Sequence, residues 1–106
     1  MIRYRLSRAA QADLREIRAY TKTTWGETQA REYLSGLRSG LERLADATVI
    51  GKTRDDIAQG LRSFPLARHV VFYREYSDGI EVVRVFHASM DVERQFEILN
   101  NDSLDS

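Results

Sequence analysis

GLRSFPLARHVVFYREYSDGIEVVRVFHASMD, residues 60–91, decides how this chain folds. Within it, "HVVFYREY" and "IEVVRVFHA" are rich in β-branched and aromatic residues, and "SDG" separates them. That pattern predicts two antiparallel strands joined by a tight turn. With Asp78-Gly79 as the corner, Phe72 faces Val85, Val71 faces Phe86, Tyr73 faces Arg84 and Val70 faces His87. Strand side chains alternate between faces, so Val70, Phe72, Val83 and Val85 share one side and Val71, Tyr73, Val82 and Phe86 the other. Both sides are apolar, and each needs a cover. Upstream, "LRSFPL" reads as a third strand. Pro65 cannot donate a ladder hydrogen bond, which places it at an edge or a bend.

The cover comes from the N-terminal half. "MIRYRL" alternates Ile2, Tyr4 and Leu6 with Arg3 and Arg5, the pattern of a half-buried strand. Ser7 can cap a helix running to about Thr23, with Ala10, Leu14, Ile17 and Thr21 on one face. Gly26 in "WGET" breaks it. A second helix follows from about Glu27 to Ala45, with Ala30, Leu34, Leu37, Leu41 and Leu44 forming a stripe. Two amphipathic helices joined by so short a turn fold back on each other. Tyr20 and Tyr33 flank that junction, and Trp25 is expected in its core.

"DATVIGKTRDDIAQG" reads as a loop, and "MDVERQFEIL" as a short helix capped by Asp91, with Phe96 and Leu99 available to cover the second side of the sheet. "NNDSLDS", residues 100–106, reads as a disordered polar tail after a single domain spanning 1–99. The expected class is α+β: an N-terminal strand, a helical hairpin packed on a mainly antiparallel sheet of about four strands, and a short C-terminal helix.

Composition narrows the functions. The 106 residues contain no cysteine, which excludes disulfides, thiolate metal sites and a cysteine nucleophile. No apolar run approaches the roughly 20 residues of a membrane helix, and the N-terminus lacks a signal core, so a cytoplasmic protein is expected. Residues 1–90 carry 15 basic against 11 acidic side chains, and residues 91–106 one against five. Fourteen of the 16 basic residues are arginine, which suits planar contacts to carboxylate or phosphate. A nucleic-acid-binding domain would show a larger basic excess, and direct contact with nucleic acid is not expected. Asp55-Asp56 lacks converging ligands, and no glycine-rich phosphate loop occurs, so neither metal nor cofactor is expected.

Two readings compete for the hairpin's arginines and histidines. In the enzymatic one, His87 or His69 moves a proton while Arg62, Arg68, Arg74 and Arg84 hold a phosphate. In the structural one, His87 is satisfied by backbone or Asp91, Arg84 stacks on Tyr73, and Arg74 pairs with Glu81. The predicted register sends His87 and Arg84 to opposite sides, which favours the structural reading.

"YRLSRAAQADLREIRAYTKTTWG", "ARE-YLSGLRSGLERLAD", "GLRSFPLARHVVFYRE" and "DGIEVVRVFHASMDVERQ", together spanning residues 3–95, resemble the RelE/ParE superfamily of bacterial toxins, and most closely its ParE branch. The resemblance implies the toxin of a type II toxin–antitoxin system. Such a toxin is a non-enzymatic inhibitor of DNA gyrase, neutralised by a ParD-like antitoxin whose C-terminal segment wraps around it. The alternative is a ribosome-dependent mRNA endoribonuclease of RelE type, with His87, Arg62 and Arg84 as its catalytic set. Here the sequence departs from the RelE pattern: no tyrosine stands beside His87, and Lys22 and Lys52 are its only lysines. A third reading is a degenerate toxin serving as corepressor. An antitoxin segment would lie along Leu14, Ile17, Leu37, Leu41 and Phe64, with Arg62, Arg68 and Arg74 meeting its acidic side chains.

Overall fold

A computed structural model describes residues 3–90 and residue 96. The elements run β1 (Tyr4–Leu6), α1 (Arg8–Trp25), α2 (Glu27–Asp46), β2 (Lys52–Thr53), β3 (Arg62–Leu66), β4 (His69–Tyr76) and β5 (Gly79–His87). The five strands form one sheet in the order β1-β5-β4-β3-β2. β1 runs parallel to β5, and the other pairings are antiparallel. The α+β class holds, with two additions: the loop after α2 contains β2, and the sheet is mixed. The proposed 91–99 helix lies outside the described residues apart from Phe96, and so does the 100–106 tail.

The helix ends follow from local chemistry. The Ser7 hydroxyl accepts the N–H of Ala10 at 3.0 Å, satisfying one of the unpaired donors that open every helix. Gly26, at φ 98°, takes a conformation that L side chains rarely adopt, and its N–H donates to the Lys22 carbonyl. One residue thus closes α1 and opens α2, and the hairpin corner is fixed further by Glu27, which faces Arg18 at 3.2 Å and Lys22 at 3.4 Å.

The hairpin packs on one face of the sheet. Ala10, Leu41, Leu44 and Ala45 meet Val71, Tyr73, Ile80, Val82 and Val85. On the other face Leu61, Phe72 and Phe86 are buried, with Ile57, Ala58, Val70, Val83 and Phe96 packed against them. The Phe96 ring stands edge-on to Phe72 at 5.3 Å and to Phe86 at 5.6 Å, so this residue helps to supply the second cover, as expected.

The β4–β5 register departs from expectation in two places. Tyr76 pairs with Gly79, so the corner is Ser77-Asp78, with Ser77 at φ 55°. Gly79 is needed for another reason: a Cβ there would overlap the Arg3 carbonyl, which accepts the N–H of Ile80. The glycine that resembled a turn signal makes room for β1. Farther along, a bulge opposite Phe72 and Tyr73 inserts one residue into β5. Before it, Val82 and Val83 lie on the expected faces. Beyond it, Val85 and Phe86 have exchanged faces, because an extra residue reverses the alternation. Arg84 consequently pairs with Phe72 instead of Tyr73, and His87 with His69 instead of Val70. No helix among the described residues is long and apolar enough to cross a membrane.

Candidate functional site: a groove between the helical hairpin and the sheet

β1 covers β5 only from Ile80 to Val82, and α1 serves the edge beyond it. The Ser7 N–H donates to the Val82 carbonyl and its hydroxyl to that of Val83, at 3.0 and 2.8 Å. Asp13 then accepts the N–H of Val85 at 2.9 Å. The same carboxylate receives both ends of the Arg84 guanidinium, at 2.8 and 2.9 Å. Arg84 leaves β5 on the side of Phe72 and Phe86, lies over the Phe86 ring at 4.5 Å, and reaches Asp13 around the uncovered edge. Both side chains are largely hidden, 17% exposed for Arg84 and 8% for Asp13. A charge so placed requires its partner, and the pair is bidentate.

Next to this pair a groove of about 920 Å³ opens between the helices and the end of the sheet. Its helical wall includes Ile17, Tyr20, Trp25 and Tyr33, and Met90 completes it from the other side. Tyr20 is 68% exposed and Trp25 58%. The expectation of a core Trp25 is therefore wrong: the corner is so tight that the last side chain of α1 projects past the packed interface instead of into it.

The floor is a pair of histidines. His69 and His87 are direct cross-strand partners, with rings edge to face at 5.4 Å. The Tyr33 hydroxyl accepts the Arg68 N–H at 3.1 Å and lies 2.6 Å from Nδ1 of His69. Burial lowers the pKa of His69, and the neighbouring His87 lowers it further, so the neutral ring is favoured. His87 is tied to its own turn: Nδ1 lies 2.7 Å from the Ser89 hydroxyl and accepts the Ser89 N–H at 3.1 Å.

Of the basic residues singled out from sequence, Arg68, His69, Arg84 and His87 line this one groove, against the expectation that they do not converge, while Arg62 and Arg74 lie elsewhere. His87 and Arg84 leave opposite faces of β5, as expected, yet both line the groove because no strand blocks the edge. Arg62 does not join them. It pairs with Tyr73, four residues along β4 from His69, about 13 Å at the usual rise of a strand. There its guanidinium donates to the carbonyls of Val49 (3.3 Å) and Gly51 (2.8 Å). Arg74 is exposed opposite Glu81, but Glu81 pairs with Arg5, at 3.3 Å. Of the residues expected to meet a partner, Ile17 and Arg68 line the groove. Leu37 and Leu41 are 3% and 1% exposed and belong to the core, because the leucine stripe is what holds α2 on its neighbours. Leu14 and Phe64 are partly buried against that core.

Sequence reasoning passed over Asp13, Glu16 and Glu32, which also line the groove. For Asp13 a signal existed. It stands three residues after Ala10 and four before Ile17, on the apolar stripe of α1, where a carboxylate must find a partner. The lining therefore contains two arginines against three carboxylates. A phosphate chain would meet net repulsion there, and no group of three or more His, Asp or Glu among the described residues could hold a metal.

A helical hairpin on a small mixed sheet, with a groove at their junction, defines the class as an α+β fold. A solved chain from the chromosomal ParDE toxin–antitoxin system of P. aeruginosa superposes with a TM-score of 0.69 at 20% identity, over 82% of this chain and 96% of that one. The chain belongs to the ParE toxin family: the family described as "ParE toxin of type II toxin-antitoxin system, parDE" matches residues 4–92. It is 45% identical over 93 residues to Toxin ParE1 of Mycobacterium tuberculosis, covering 87% of this chain and 95% of that protein. It is 39% identical over 88 residues to Toxin ParE1 of Caulobacter vibrioides, covering 83% and 91%.

Proposed function

We propose that this ParE-family toxin acts in the cytoplasm by binding, as a non-enzymatic poison of DNA gyrase, and that a ParD-like antitoxin silences it by seating a segment in the groove. The observation that carries the binding mode is the contrast within the groove. Its aromatic wall is open to a partner, while Arg84 and both histidines are already held by Asp13, Tyr33 and Ser89. A ribonuclease needs a proton-transfer group and unspent cations around one phosphate. Arg84 is neutralised by Asp13 and Arg62 supports a loop at the far end of the sheet, which leaves Arg68 as the unspent arginine of the described groove lining. Gyrase as the target rests on membership of the ParE family. Of the antitoxin contacts expected from sequence, Ile17 and Arg68 are kept; Tyr20, Trp25, Tyr33 and Met90 join them.

The test uses purified toxin in two assays. Gyrase supercoiling should fall and cleavage complexes accumulate, while transcripts in a translating extract stay intact. Specific transcript cuts with unaffected supercoiling would reverse the assignment to the RelE-type alternative. Antitoxin added in equal amount should restore supercoiling.

A further inference from the structure

Two carboxylates in the groove, Glu16 on α1 and Glu32 on α2, stand outside every ion pair among the described residues. The helices do not compensate them locally. Three and four residues from Glu16 stand Ala12, Asp13, Ala19 and Tyr20; from Glu32, Thr28, Gln29, Ser35 and Gly36. Neighbours at those spacings are where a helix normally supplies an opposite charge. Asp13 is fully engaged by Arg84 and cannot share its partner. On the same wall the rings of Tyr20 and Trp25 are exposed, and an aromatic face attracts a cation held over it. Elsewhere in this protein arginine does stack in this way, Arg5 over Tyr76 at 4.7 Å and Arg84 over Phe86.

We infer that the groove takes an arginine or lysine side chain, flanked by apolar residues, from an amphipathic helix of the antitoxin. The cation sits between Glu16 and Glu32 and against the rings of Tyr20 and Trp25, while the flanking apolar residues cover Ile17 and Met90. This inference rests on the antitoxin reading above and specifies the chemistry of its segment. It adds to the expectation from sequence, in which toxin arginines meet antitoxin acids, a basic antitoxin residue that meets toxin acids. Charge complementarity selects this occupant: with Arg84 spent on Asp13, Glu16 and Glu32 outnumber Arg68 in the lining, which disfavours an acidic peptide or a phosphate chain and favours a basic one.

The probe is a synthetic peptide of the C-terminal half of the protein encoded beside this gene, titrated calorimetrically into the full-length toxin. Three toxins are compared: the native chain, Trp25→Ala, and the double variant Glu16→Gln with Glu32→Gln. The carboxylates lie on exposed positions, so the double variant keeps its melting temperature, checked in the same buffer. At about 50 mM salt the double variant should bind about tenfold more weakly, and the loss should shrink at about 300 mM, where surface charges are screened. Replacing the peptide's basic residues by glutamine should weaken binding to the native toxin and add little in the double variant, the signature of a direct pair. If Trp25→Ala weakens binding while the glutamine variants bind as tightly as native toxin, the cation is refuted and the antitoxin reading stands. If the peptide does not bind native toxin at all, both are refuted.

Discussion

At one end of the sheet, Tyr73 and Arg62 face inward onto the segment after α2. The Tyr73 hydroxyl accepts the Gly51 N–H at 2.9 Å and donates to the Thr48 carbonyl at 2.8 Å, while Arg62 holds the carbonyls on either side of Ile50. At the other end, Tyr20, Trp25, Glu16 and Glu32 stand open beside a floor of two histidines. Both ends use tyrosine and arginine, Tyr73 and Arg62 at the first and Tyr20, Tyr33, Arg68 and Arg84 at the second. At the first, every polar atom named here closes on backbone of the same chain. At the second, a tyrosine hydroxyl and the histidines are satisfied locally, but rings and carboxylates stay exposed. Residue type alone does not separate scaffold from interface in this fold; what separates them is whether the chain itself supplies the partner.

The largest expected effect lies where the two roles meet. Asp13→Ala strips the half-buried Arg84 of its carboxylate and leaves the Val85 N–H without an acceptor. The loss should be about 3–5 kcal/mol in urea denaturation, and Arg84→Met added to it should recover part. A loss below about 1 kcal/mol would show that water replaces the pair and that the edge is not closed by α1. Tyr73→Phe deletes the bridge at the scaffold end and leaves the buried Gly51 N–H and the partly buried Thr48 carbonyl without it, which should cost about 1–3 kcal/mol. A stability equal to native would place that end among the open surfaces.

Trp25→Ala sharpens the contrast from the other side. Because the ring is mostly exposed, stability should change by no more than about 0.5 kcal/mol, while antitoxin binding should weaken by about 2 kcal/mol if the ring is an anchor. The reverse outcome, a destabilised protein that binds normally, would return Trp25 to the core. The smallest effect concerns pH. Folding holds the pKa of His69 below its ordinary value, through burial first and His87 second, with Tyr33 and Arg68 as its other polar neighbours. Protonation therefore favours the unfolded chain. The neutral ring's contribution is complete above the unfolded value of about 6.5 and is lost as pH falls through the lower folded value. Melting curves between about pH 7.5 and 5 should show a modest decline that His69→Gln flattens. An unchanged slope would assign the decline to other groups.

Much of the fold was legible before any coordinates. Ser7, Gly26 and the leucine stripe bound two helices, since caps and periodicity act within a few residues. Two neighbouring strands were legible for the same reason. Their register was not. Gly79 resembled a turn residue because glycine serves both turns and close approaches, and here the approaching carbonyl belongs to Arg3, far away in sequence. The short β2 strand carries two exposed residues and no alternation that could announce it. In the groove, the sequence points to Ile17, Arg68, His69, Arg84 and His87 and to Tyr20 and Tyr33 at the junction, but it puts Trp25 in the core.

The sequence by itself determined the helices, the strand pair, the order of elements and the family to which they belong, because each is written in short-range spacing. Tertiary structure alone decided which side of β5 its last residues face. That choice turns on a one-residue bulge beside an edge that Asp13 closes from 71 and 72 residues away. No local pattern can encode a hydrogen bond across that separation, and it is this bond that neutralises Arg84 and closes the edge of the sheet.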